Sequence, residues 1–171
     1  MIAQKNPDLA SAKEVARMVG LGALKYFDLS HHRVSDIVFE WDRALSFEGN
    51  TGPYLQYTHA RLRSILRKAN TTGTHQVGSD TTLSAIERQL IVTLLRFPEA
   101  IEDALAVWSP HVLAAYLYHL AGQANELYHA EPILAEADEK KRRLLLALIF
   151  GIAATLKKGL SLLGIDAPEE M

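Results

Sequence analysis

The sequence predicts an all-α fold: a helical bundle preceded by a short helix-plus-strand stub. From position 53 onward, apolar residues recur with helical period in segments that open on Pro or Ser-Pro and close on Gly or polar turns. Before it, a single short segment alternates as a strand would. The composition, 171 residues with 49% hydrophobic and 22% charged, is that of one globular domain, or of one domain plus an attached piece. Disordered, collagen-like and disulfide-stapled classes are thereby excluded.

Ser11 and Glu14 read as a capping box that opens a first helix to about Phe27, with Val15, Met18, Gly22 and Tyr26 on one face. Asp28-Leu29-Ser30 closes it. Over Asp36 to Asp42, Ile37, Phe39 and Trp41 alternate with Val38, Glu40 and Asp42, the pattern of a half-buried strand. A lone strand needs partners or packing to persist. The turn cluster Phe47-Glu48-Gly49-Asn50-Thr51-Gly52-Pro53 is the seam, which divides the chain into 1–52 and 53–171.

Pro53 opens a helix to about Ala69, and a Thr/Gly/Ser loop follows from Asn70 to Asp80. Further helices are expected over about Thr82 to Arg96 and from Pro98 to Val107. Ser109-Pro110, read as an N-cap with Pro at the first helical position, starts a long one to about His129. The last runs from about Ala137 to Leu163, with Gly164 as its stop and Pro168 beyond.

Eighteen Lys and Arg against 20 acids give a net charge of -2, so the chain lacks the bulk positive field of many nucleic-acid binders. Local charge differs, because no acid occurs between Glu48 and Asp80. The absence of cysteine removes disulfides, thiolate metal sites and a Cys nucleophile, and fits a cytoplasmic setting. Met1 to Asp8 has no signal-peptide pattern, and the apolar run Leu144 to Ala154 is short for a membrane span and flanked by Lys140 to Arg143. A bundle helix is expected there.

The Pro53 helix carries the functional signal. At about 100° per residue, Leu55, Thr58, Leu62, Ile65, Leu66 and Ala69 share a core stripe, while Tyr54, Tyr57, Arg61, Ser64 and Lys68 form a second. Two tyrosines followed one turn later by a cation can stack unpaired bases and hold a phosphate. Tyrosines at that spacing also serve as half-buried core residues. Arg63 and Arg67 flank the stripe.

The run from Leu45 to Tyr57, preceded by Val38-Phe39-Glu40-Trp41-Asp42, resembles the arginyl-tRNA synthetase family at the junction of its catalytic core and anticodon-binding domain. Val19 to Tyr26, Ser109-Pro110 through Tyr128-His129, and the ending Leu162 to Met171 resemble that family too. The resemblance implies a helical module that grips a tRNA anticodon stem and loop, within an enzyme that joins arginine to its tRNA with ATP. It matches Tyr54, Tyr57, Tyr128 and Met171 to anticodon-side positions and Arg61 to a phosphate contact. The candidate RNA-binding set is Tyr54, Tyr57, Arg61, Lys68, Asn125, Tyr128 and Met171.

Three positions depart from the family pattern. Glu170 stands where an arginine is usual, Ala124 where an aromatic is common, and Glu131 where a cysteine is common. Neither a His-Ile-Gly-His-like nor a Met-Ser-Lys-like signature occurs, so the chain by itself is expected to be non-catalytic and to hold no ATP or other cofactor. Its expected partners are the anticodon stem-loop of an arginine tRNA and the missing catalytic domain of the same polypeptide, with no membrane. The alternative class is a helical protein-interaction domain that uses the Tyr54/Tyr57 stripe.

Other constellations are weaker. Glu126-Leu127-Tyr128-His129 is half of a di-iron motif and occurs once, so no metal is expected. Asp36, Glu40 and Asp42 share one strand edge without a nucleophile. Lys140 to Arg143 read either as a solvated face or as a contact to an RNA stem.

Overall fold

The computed structural model describes residues 11–71 and 82–171. Among them are seven helices and no strand: α1 (Ala12–Leu29), α2 (Trp41–Ala44), α3 (Gly52–Lys68), α4 (Ala85–Leu95), α5 (Phe97–Ala106), α6 (His111–Ala130) and α7 (Glu139–Leu162). The all-helical architecture is as the sequence predicts. Helices α3, α6 and α7 pack on one another, α4 and α5 cover α6, and α1 lies across α3.

The shared core is aliphatic. Leu55 and Leu62 from α3, Leu117, Leu120 and Leu127 from α6, and Leu145, Ile149, Ile152 and Leu156 from α7 are all essentially inaccessible. Each such side chain contributes about 1.5–3 kcal/mol on burial, so these rows outweigh weak local propensities. The run Leu144 to Ala154 lies in α7, which at 24 residues is long and apolar enough to span a membrane. More than half of that apolar stretch is buried inside the bundle, which explains its composition.

Helix ends follow identifiable chemistry. Thr51 caps α3 by accepting from the Tyr54 amide at 3.2 Å, with Pro53 in the first turn. Gly164, at φ +69°, closes α7: its amide donates to Ser161 O and the Ile165 amide to Leu160 O. The expected capping box at Ser11 does not form, since that side chain makes no cap bond. The box forms instead at Ser84 and Glu87, where the Glu87 carboxylate is buried and paired with Lys141 at 2.6 Å. The same Ser-x-x-Glu spacing occurs twice, and tertiary burial of the glutamate separates the two cases.

The Ser109 cap is also corrected. Helix α6 begins at His111 with Pro110 at its cap, and Ser109 is used to end α5, its amide donating to Ala104 O at 3.0 Å. The strand expected over Asp36 to Asp42 is absent. Residues 36–40 are irregular, and Trp41 opens the single turn of α2. No ladder partner exists for it among the described residues. The Phe39 ring instead packs edge-on against Phe27 at 4.9 Å, and Trp41 against Phe39 at 4.8 Å.

Tyr26 joins the stub to the bundle. Its buried hydroxyl lies 2.6 Å from Asn50 Oδ1 and 3.0 Å from Ala114 O, linking α1, the turn before α3, and α6. Burial pushes that hydroxyl well above the usual tyrosine range, so it stays a donor at any working pH.

Candidate nucleic-acid interface

The outward stripe of α3 converges on Arg61. Its guanidinium carbon lies 4.8 Å from the Tyr57 ring centroid and 5.3 Å from that of Tyr128 on α6, so one cation bridges two aromatic faces. Arg61 Nη1 also donates to Asn125 Oδ1 at 3.2 Å. Asn125 Nδ2 in turn donates to the Tyr54 hydroxyl at 2.8 Å. Burial pushes the Tyr54 hydroxyl up, against the opposing hydrogen bond from Asn125.

A cleft opens on each side of Arg61. One, of about 350 Å³, is walled by Tyr57, Ala60, Arg61, Ser64, Arg67 and Met171, with Glu170 at its rim. The other, of about 400 Å³, runs between Arg61, Ser64 and Lys68 on α3 and both the end of α6, at Tyr128 and His129, and the segment Glu131 to Ala135 after it. Their walls combine rings, aliphatic surface and cations, and Tyr128 remains 42% exposed. Unpaired bases need such walls, and phosphates need the cation between them.

All seven candidate residues therefore lie around one point. Tyr57, Asn125 and Tyr128 touch Arg61, Tyr54 is reached through Asn125, and Lys68 and Met171 each share a cleft with Arg61. They are not equally available. The Tyr54 ring packs on Tyr118 at 5.7 Å and its hydroxyl is bonded, so it acts mainly as a wall. Met171 packs against the small cluster of Val15 and Val19 beside Phe47.

The sequence points to Met171 but not to the side chains that hold the tail before it. Gln56 Nε2 donates to Asp166 O at 2.7 Å, and the buried His59 places Nδ1 3.0 Å from Pro168 O. Arg63 binds the Glu169 carboxylate, Arg67 donates to Glu169 O at 3.0 Å, and Lys157 reaches Glu169 at 2.7 Å. Arg63 and Arg67, expected to flank an RNA surface, are thus engaged by the C-terminal tail. The steps of three, four and four from Gln56 through His59 and Arg63 to Arg67 along α3 were the available signal. The tail lies about a hundred residues from these α3 partners, so no local pattern in α3 names it.

The model of the DALR anticodon binding domain matches residues 55–171. The chain belongs to the DALR anticodon binding domain family. Over 171 residues it is 42% identical to an arginine–tRNA ligase of Alkaliphilus metalliredigens, covering 100% of this chain and 30% of that one. The solved arginyl-tRNA synthetase of Thermus thermophilus superposes with a TM-score of 0.91 at 44% identity, covering 99% of this chain and 29% of that chain. That of Plasmodium falciparum gives 0.80 at 30% identity, covering 95% and 29%. The DALR chain thus spans less than a third of the length of the relatives it matches.

The departures from the family pattern have structural partners in this DALR domain. Glu170 pairs with Arg67 at 3.3 Å, Ala124 is buried in the core, and Glu131 faces Lys141 at 3.9 Å. Of the Lys140 to Arg143 run, Lys141 turns inward to Glu87 and Arg143 pairs with Glu139. Among the described residues of the DALR domain, no group of three or more His, Asp or Glu side chains is placed to hold a metal ion.

Proposed function

We propose that this chain is the anticodon-recognition part of an arginine–tRNA ligase, with residues 53–171 as the RNA-binding unit and 1–52 as the end of the catalytic domain. The observation that carries this is Arg61 held between the Tyr57 and Tyr128 rings, with a cleft on either side. In this reading two unstacked loop bases enter the clefts, one against Tyr57 and Met171, the other against Tyr128. The linking phosphate lies on Arg61, and Lys68 meets the backbone beyond. Asn125 and Tyr54 fix the guanidinium so that it need not be ordered on binding.

The parent enzyme would consume ATP to join arginine to its tRNA, with that chemistry in the preceding domain, the second partner of this chain. This chain supplies orientation of the RNA and no reacting group. A cytoplasmic setting is supported by the lack of cysteine.

Titration with the anticodon stem-loop of an arginine tRNA tests the reading. Binding is expected at low salt, weakening as salt rises, and lost when Tyr57→Ala and Arg61→Ala are combined. Removing one stacked tyrosine should cost about 1–3 kcal/mol. A wild-type chain that does not bind, or a double variant that binds as well, overturns it in favour of a protein-interaction surface.

A further inference from the structure

The C-terminal tail is held by side chains of two helices. Four residues of α3, Gln56, His59, Arg63 and Arg67, follow one another at spacings of three, four and four, and each engages a group between Asp166 and Glu170. Such a row lies along a single face of the helix, beside the core stripe of Leu55, Leu62 and Leu66. Lys157 on α7 closes the other side by binding the Glu169 carboxylate. Glu169 thus receives two cations from two helices through its side chain and a third, from Arg67, through its carbonyl.

The tail leads to Met171, which packs against Val15 and Val19, as Phe47 does, and forms a wall of the Tyr57 cleft. Only Glu170 separates the clamped Glu169 from that wall. Met171 follows directly on the clamped residues, so its position beside Tyr57 depends on how they are held.

We infer that Glu169 is a positioning residue for RNA binding: by clamping the tail between α3 and α7, it sets Met171 in place beside Tyr57. The inference rests on the reading of the Tyr57 cleft as a base site. Its physical consequence is a population effect. If neutralising Glu169 leaves the tail docked only part of the time, apparent affinity falls by that fraction, while the contacts made when docked are unchanged. A second consequence is that the clamp keeps Arg63 and Arg67 out of phosphate contact. Releasing it frees two cations, which works in the opposite direction, so the sign of the change is informative.

The test compares the 171-residue wild type, Glu169→Gln, a chain lacking Met171, and the combination, each titrated with the arginine-tRNA anticodon stem-loop. Glu169→Gln is expected to weaken binding by about three- to tenfold, to lower the melting temperature only modestly, because its pairs with Arg63 and Lys157 are partly exposed, and to speed release of Met171 by a carboxypeptidase. Because Glu169 acts through Met171, the combination should bind no more weakly than the Met171 deletion alone. Unchanged or tighter binding by Glu169→Gln, or losses that add in the combination, would overturn the inference while leaving the base-site reading standing. A wild type that fails to bind overturns both.

Discussion

Asn125 and Tyr54 are joined across the α3–α6 groove, the amide donating to the phenol at 2.8 Å. The same amide accepts from Arg61, so one side chain on α6 orients both a ring and a cation on α3. Asn125→Ala should therefore cost about 0.5–1.5 kcal/mol of stability, the worth of an ordinary hydrogen bond, in urea unfolding. It should also weaken stem-loop binding several-fold, because Arg61 would then have to be ordered on contact. Asn125→Asp, which keeps the acceptor for Arg61 and loses the donor to Tyr54, should retain most of the stability and less of the RNA affinity. Equal affinity in all three proteins would remove Asn125 from the interface.

Much of this arrangement was legible in the sequence, and the limits have physical reasons. Helical period assigns Leu55, Leu62 and Leu66 to the core and Tyr57 and Arg61 to the surface, because side-chain direction repeats within one helix. Gly164 could be read as a stop for the same local reason. Ile37, Phe39 and Trp41 read wrongly as a strand, since alternation reports a strand only where a neighbouring strand exists. Nor could the fate of Arg63 and Arg67 be seen, because their partners are more than a hundred residues distant and depend on where the tail lies.

His59 makes stability depend on pH in a stated direction. Burial pushes its pKa below the ordinary 6.5, against the opposing effects of Pro168 O and Glu169, while Lys157 and Arg63 add to the depression. Nδ1 donates to Pro168 O, and the buried Nε2 faces no partner, so the folded protein prefers the neutral ring. Between the folded and unfolded pKa the unfolded chain binds more protons, and stability rises with pH. The His59 contribution is complete above about pH 6.5 and declines below it. His59→Gln, which can still donate to Pro168 O, should flatten the urea midpoint between pH 5 and 7.5 relative to wild type. Partial burial raises the Glu169 carboxyl, but Lys157 and Arg63 outweigh it and hold it at about 2 against an ordinary 4.5, so its loss of stability falls below that window. A slope identical in the variant would mean that His59 is not its source.

Glu87 and Lys141 tie α4 to the start of α7, with the glutamate side chain inaccessible and the lysine side chain 20% exposed. Burial raises the Glu87 pKa, but Lys141 and Ser84 together hold it below the usual range. Glu87→Ala leaves Lys141 facing only Glu131 and removes the helix cap. Wholly buried pairs lose about 3–5 kcal/mol when one partner is deleted, and the partial solvation of Lys141 brings the expectation nearer 2–3. Glu87→Met with Lys141→Met should recover most of that loss, since two packed apolar chains need no desolvation. Urea unfolding of the single and double variants measures both. A double variant less stable than either single one would show that the pair itself, and not the stranded charge, matters.

The crossing of α1 on α3 depends on two glycines. A Cβ on Gly52 would lie 2.6 Å from Gly22 O, and one on Gly22 would lie 2.6 Å from Gln56 Nε2. The first obstruction is backbone, which cannot rotate away, and the second is a side chain already bonded to Met18 O and Asp166 O. Gly52→Ala must therefore push α1 off α3, and overpacking of this kind costs about 1–3 kcal/mol. The consequence should reach the proposed RNA site, because Val15 and Val19 on the displaced helix support Met171. Gly52→Ala is expected to lower the melting temperature and stem-loop affinity together, whereas Gly122→Ala, where a Cβ meets nothing, should leave both intact. If Gly52→Ala lowered stability and spared affinity, the support of Met171 by α1 would be dispensable for binding.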